Sequence, residues 1–345
     1  MITGLGTAVR GVPGPQDLLR PLPADHRQAV DPVSRLTGRG LRYKDRATKL
    51  AMVAARDALR AAGLTDGTGA LTVPGESVGV TASTNYGNVD TVCETVSTIA
   101  ESGYLATSPM MLPATSSNVV ASWVAITHGL RGANLTLCNG PTSGLDAVNW
   151  ARLLIASGRV ERMLVLGVEP DNPAVRHVTG VPEAAPDELG DAPDLFDGSV
   201  ALVVESAASA EARGVRPLAA IGPYARRGGH ADAVAEVRAL HPGRVGLWCV
   251  PEHPEGVRAP APGLGAGVGS VPVHDLTALH GASSGALGVL QCAAAAVWLE
   301  GRGGADDDVV LVSAGTGDAG GDDASAALIL TVPDAVAPRL AGTAR

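Results

Sequence analysis

The chain reads as an α/β protein of layered type, built from two βαβ-rich halves. Two features of the sequence predict this. Short β-branched or apolar runs alternate with helix-period segments along most of its 345 residues. That alternation calls for helices packed on sheets whose central strands are buried. Each of two stretches, 1–205 and 206–345, also ends in a pair of strand-like runs, which hints at a duplication.

The strand-like runs, in order, are Ser77–Ala82, Leu135–Cys138, Met163–Val168, Val200–Glu205, Val245–Val250, Val309–Val312 and Ala326–Thr331. The helical segments are Asp45–Ala62, Asn118–His128, Thr142–Ser157 and Gly285–Glu300. Within Asp45–Ala62, Leu50, Val53, Ala54 and Leu59 share one face, and Lys49, Arg56 and Arg60 lie opposite. Two stretches break the rhythm. Residues 171–197 are acidic and Pro-rich and read as a long surface loop; residues 251–272 are rich in Pro and Gly. Both adjoin strands and could roof a site.

Composition narrows the function classes. The chain is 46% hydrophobic and only 3% aromatic, with 44 glycines, so Ala, Val and Leu must fill a tightly packed interior. A net charge of −9 without any Lys/Arg block argues against nucleic acid or an anionic membrane as partner. Cys93, Cys138, Cys249 and Cys292 lie far apart with no CxxC pair, which points to reduced thiols rather than disulfides or a zinc site. The first residues lack an export signal, and the longest apolar stretch, Gly281–Leu299, is interrupted by Ser283, Ser284, Gly288 and Gln291. A buried helix and a cytoplasmic location are expected.

Several motifs stand in an ordered series: ITGLGTA at the start, then GLRYKDRATKLAMVAARDALRAAGL and SVGVTASTNYG. SPMMLPATSSNVVASWVAITHGLRGANLTL follows, then PTSGLDAVNWARLLIASGRVERMLVLGVEP, and SAGTGDAGG closes the series. In order and spacing these resemble the β-ketoacyl synthases of the thiolase fold, over nearly the whole chain. The resemblance implies a layered α-β-α-β-α architecture and places each catalytic position of the family. Such an enzyme needs a thiolate at a helix N-terminus, where the dipole and backbone amides lower its pKa, and two histidines for decarboxylation and condensation.

None of these groups stands where the resemblance puts it. The nucleophilic cysteine should precede Thr142-Ser143-Gly144, and Pro141 is there instead; proline suits the first turn of a helix but offers no nucleophile. The first histidine falls on Pro251, with His253 two residues on. The second falls on Ala282, with His280 before the glycine and pointing elsewhere as a structural or surface residue. The family lysine is replaced by Thr277. The Gly-Glu-Gly-Ala loop is missing, so that Phe196-Asp197-Gly198 runs directly into a strand, and the late glycine motif is reduced to Ala314-Gly315-Thr316-Gly317 without its phenylalanine. Cys138, three residues before the nucleophile position and with no histidine nearby in sequence, reads as a buried, inert thiol.

The family has a member type with lost catalytic residues, the chain-length factor of type II polyketide synthases, which this chain resembles although it carries Pro141 where well-known examples have Gln. By resemblance, such a subunit pairs with an active ketosynthase and shapes the tunnel for the growing chain on acyl carrier protein. No catalytic residue, metal or cofactor is expected. The helix resembling the family's tunnel-gating helix corresponds to Asn88–Thr98, with Asn88, Thr91 (or Val92) and Thr95 on one face. None is aromatic, as a long linear chain, a polyene among the options, requires. Met110 and Met111 could line the same tunnel or fill gaps in the core. Two other readings stay open: a thiolase-fold acyltransferase or hydrolase using Cys138, His253 or His280 in a new arrangement, and a purely structural partner.

Overall fold

The computed structural model describes residues 1–21, 29–38, 40–182, 195–252, 271–301, 308–315 and 324–333. His253, Thr316 and Gly317 lie outside the described residues. Along the first half run β1 (Ile2–Val9), α1 (Arg46–Ala61), β2 (Val78–Ser83), α2 (Val89–Ser102), α3 (Val119–His128), β3 (Asn134–Leu137), α4 (Ser143–Ala156), β4 (Arg162–Glu169), α5 (Pro173–Thr179) and β5 (Gly198–Glu205). The second half adds α6 (Ala207–Ala212), β6 (Ala220–Arg227), α7 (His230–Leu240), β7 (Arg244–Cys249), β8 (Val273–His274), α8 (Leu276–His280), α9 (Leu287–Gly301), β9 (Asp308–Ala314) and β10 (Ser325–Thr331).

The strands form two five-stranded sheets, ordered β1-β5-β4-β2-β3 and β6-β10-β9-β7-β8. Each strand of the first sheet has a counterpart at the same place in the second. In both, the centre is mixed: β2 runs parallel to β3 and β4 while β5 is antiparallel to β4 and β1, and the second sheet repeats the scheme. The helices complete five layers. Helices α1 and α3 cover the outer face of the first sheet, α4 and α9 fill the space between the sheets, and α7 covers the outer face of the second.

Burial follows from this layering. Strands β4 and β5 have helices on both faces and are buried at every position, which explains why their sequences run apolar without alternation. Helix α1 begins where Asp45 accepts hydrogen bonds from the Thr48 backbone N–H (2.6 Å) and hydroxyl (2.7 Å). Its small residues Ala51, Ala55 and Ala58 are buried along with Leu50 and Leu59. In the middle layer α4 and α9 meet backbone to backbone: a Cβ on Gly144 would lie 2.6 Å from the Gly288 N, and one on Gly288 would lie 2.3 Å from the Leu145 N. Only glycine at both positions lets the two halves close this far.

Two sequence-based expectations need correction. Residues 171–197 are not one surface loop. Asn172 caps α5 through its side chain (3.0 Å to the Val175 N–H), Pro173 starts the helix, and Leu195, Phe196 and Asp197 are buried. Arg46 holds Asp197 with two hydrogen bonds of 2.8 and 2.6 Å, and Arg176 holds Asp171 with two of 2.7 Å, so a segment that looks like polar loop material is pinned by charge-assisted pairs. Cys138 is exposed rather than buried, because β3 lies at the sheet edge and Cys138 follows its last residue. Among the described residues no helix is long and apolar enough to cross a membrane.

Candidate functional site

Three turns converge where the two halves meet. The first is the 3₁₀ turn Gly140–Thr142, which carries Pro141 and runs straight into α4. The second is Val250–Glu252 after β7, and the third runs from Gly281 to Ala286 and opens α9. Pro141, Pro251 and Ala282 sit on these turns. Turn 140–142 touches turn 284–286, and Glu252 accepts hydrogen bonds from the backbone N–H groups of Ser283 (2.6 Å) and Ser284 (3.0 Å). The positions singled out in the sequence are therefore gathered in one place.

Two residues that the sequence did not single out bind the turns together. Asn85, just after β2, donates to the Gly140 carbonyl (3.1 Å) and to the Ser284 hydroxyl (2.8 Å). Glu169, the last residue of β4, is 2% exposed. Its carboxyl accepts from the N–H groups of Asn85 (2.5 Å) and Tyr86 (3.0 Å) and from the Thr84 hydroxyl (3.1 Å). Gly285 is needed beside it, since a Cβ there would lie 2.7 Å from Glu169 Oε1. A carboxylate at the end of a wholly apolar run was the available signal for Glu169.

A cavity of about 200 Å³ opens between α5 and the turns at Glu252 and Ala282–Ser284, with Tyr86, Glu169, Phe196, Glu252 and Ala282 in its wall. Burial pushes the Glu169 carboxyl up to about 8 against the pull of its N–H donors. Burial also raises Glu252, again against two backbone donors. Among the described residues neither a thiol nor an imidazole lines this cavity. His280 is buried and bonds through Nε2 to the Leu18 carbonyl (2.8 Å), and burial holds its pKa below the usual histidine value. The Cys138 thiol is raised by desolvation and by the Glu169 charge, the opposite of an activated nucleophile. Thr277, at the family lysine position, lies in α8.

The tunnel-helix residues lie elsewhere. Thr91 is buried, Asn88 and Thr95 are half-buried, and Thr95 donates to the Thr91 carbonyl (2.7 Å). Met110 is 61% exposed, Met111 half-buried. They share a region with the exposed Val96, Ile99, Tyr104 and Leu105, on α2 and the turns that pack against it.

Comparison with known proteins places this geometry. Residues 15–179 match the β-ketoacyl synthase N-terminal domain. The tetracenomycin polyketide synthase ketoacyl synthase alpha subunit of Streptomyces glaucescens is 29% identical, aligned over 78% of this chain and 72% of that one. A 3-oxoacyl-[acyl-carrier-protein] synthase 2 of Vibrio harveyi is 35% identical over 92 residues, 27% of this chain; the match spans about a fifth (22%) of the enzyme's length. The solved ishigamide ketosynthase/chain length factor superposes with a TM-score of 0.74 at 24% identity, covering 96% of this chain and 98% of that one. The AntDE ketosynthase, solved with the type II acyl-carrier protein AntF, superposes at 0.73 with 16% identity and the same coverage. The fold is thus that of the thiolase-like ketosynthases.

Proposed function

The chain belongs to the β-ketoacyl synthase family, and from that premise we propose that it serves as the non-catalytic, chain-length-factor subunit of a type II polyketide synthase. The observation that carries this reading is the composition of the gathered turns. A site built for condensation needs a thiolate, two imidazoles and their supports held within a fraction of an ångström. Here the same turns are gathered with Pro141, Pro251 and Ala282 on them, and the two carboxyls in the cavity wall, Glu169 and Glu252, already accept from backbone donors. The scaffold is kept and the chemistry is gone.

A pairing role also accounts for the open edge of the first sheet. Strand β3 pairs only with β2 among the described strands, leaving one row of its backbone groups free. On either side of that edge stand α3 and α4, with Ile126, Trp150 and Leu153 exposed at 68%, 47% and 43%. An active ketosynthase subunit is the proposed occupant, with acyl carrier protein delivering the chain to the pair in the cytoplasm. Asn88, Thr91, Thr95, Met110 and Met111 are proposed to line the tunnel. The boundary near residue 206 is read as the junction of two duplicated halves.

Co-expression with the neighbouring ketosynthase tests this, followed by mass analysis of the complex and an in vitro elongation assay. A one-to-one complex whose activity needs both chains and survives Cys138→Ala is expected. A homodimer that turns over acyl thioesters alone and is silenced by Cys138→Ala would overturn the reading.

A further inference from the structure

We infer that Glu169 is a positioning residue that fixes the start of α2, and so sets the wall of the tunnel that the chain-length reading assigns to that helix. The inference rests on that reading and extends it to a residue outside the tunnel.

A helix usually anchors its own first turn through a capping side chain. Helix α2 does not: Asn88, at its N-cap, makes no capping hydrogen bond and donates instead to the Ala114 carbonyl (3.3 Å). The path into α2 is held one step earlier. Glu169 grips three consecutive residues, Thr84, Asn85 and Tyr86, and the chain enters α2 three residues later at Val89. Asn88, Thr91 and Thr95 all fall within the first two turns after this grip.

The grip is built at a cost. Among the described residues no lysine or arginine pairs with Glu169, so hydrogen bonds alone offset its burial, and burial raises its pKa. An apolar side chain at the end of β4 would serve the core better. The carboxyl has two acceptor oxygens, which take the backbone donors of Asn85 and Tyr86, the Thr84 hydroxyl and the Gly285 N–H. Gly285 leaves the space the carboxyl occupies, and Asn85 ties the gripped turn to Gly140 and Ser284. In an active relative those turns would serve catalysis; in this chain, α2 is the element the grip still controls.

The test uses the complete complex with its active ketosynthase. Glu169→Gln and Thr95→Phe are compared with the wild type for complex mass and for the distribution of product lengths. Glutamine keeps the size but loses one acceptor, so Glu169→Gln is expected to assemble. The ratio of the main product to its neighbours in length should fall about tenfold, the equivalent of one buried hydrogen bond. A merely structural role would change assembly without changing that ratio. An unchanged ratio in Glu169→Gln, with a shorter product from Thr95→Phe, overturns the positioning role and leaves the chain-length reading standing. No response from either variant overturns both. Should Glu169→Gln fail to assemble, Thr84→Val removes one donor to the carboxyl at nearly constant shape. The same ratio then decides: a fall supports the role and no change overturns it.

Discussion

Pro141 stands on the 3₁₀ turn that opens α4, a place where the helix dipole favours an anion and would lower the pKa of a thiol. Placing a cysteine there restores one part of a condensing site and nothing else. No imidazole faces the cavity among the described residues, and both carboxyls in its wall are held by backbone N–H groups. General acid–base catalysis contributes about 10²–10⁴-fold, and that part would still be missing. Pro141→Cys is therefore expected to gain a site alkylated by iodoacetamide, seen as a mass shift on the peptide, with no condensation of acyl and malonyl thioesters by this chain alone. Measurable condensation would mean that the cavity retains a working base.

Between single residues and the whole lies the contact of α4 with α9, where Gly144 and Gly288 allow two backbones to touch. A methyl group at Gly288 would overlap the Leu145 N and force the middle layer apart. Gly288→Ala should cost about 3 kcal/mol, the upper end for overpacking, and lower the melting temperature by several degrees. Gly67→Ala, with open space around its Cα, is the control and should leave it in place. Equal melting of the two variants would mean that the helices are not in backbone contact. Elements of this middle layer were legible because their patterns are strong: the segment read as Thr142–Ser157 is a helix from Ser143 to Ala156. The start of α9 was misplaced by two residues, since Ser284–Ala286 form a 3₁₀ turn with Ser284 at a φ of 41°. Strand β6 gave no clear signal, being half-exposed at a sheet edge with Pro223 inside it. Helix α5 was hidden in polar sequence because its anchor is a set of ion pairs rather than an apolar face. The motif series located the three site turns, but the parts that join them, Asn85, Glu169 and Glu252, belong to contacts between distant segments that no local pattern records.

At the scale of the molecule, the proposed pairing rests on the edge of the first sheet, where β3 pairs only with β2 among the described strands. A sheet edge left bare invites pairing with another chain, and natural proteins usually cover it, shorten it or charge it. Strand β3 is short, at four residues, yet its flanks are apolar rather than charged: Ile126 projects from α3, and Trp150 and Leu153 project from α4. Tryptophan is among the residue types that most often dominate an interface, where truncation costs about 2 kcal/mol or more. Introducing a charge adds the desolvation of that charge to the loss. Ile126→Glu with Trp150→Glu should therefore weaken the complex with the ketosynthase by well over tenfold in Kd, read by analytical ultracentrifugation of the mixed subunits. Both side chains face solvent in the single chain, so its circular dichroism and melting temperature should stay at the wild-type values. A double variant that still assembles at wild-type affinity would move the partner to another face. Assembly lost together with the fold would show instead that these side chains serve the core, and that the exposed rim is not where the second subunit sits.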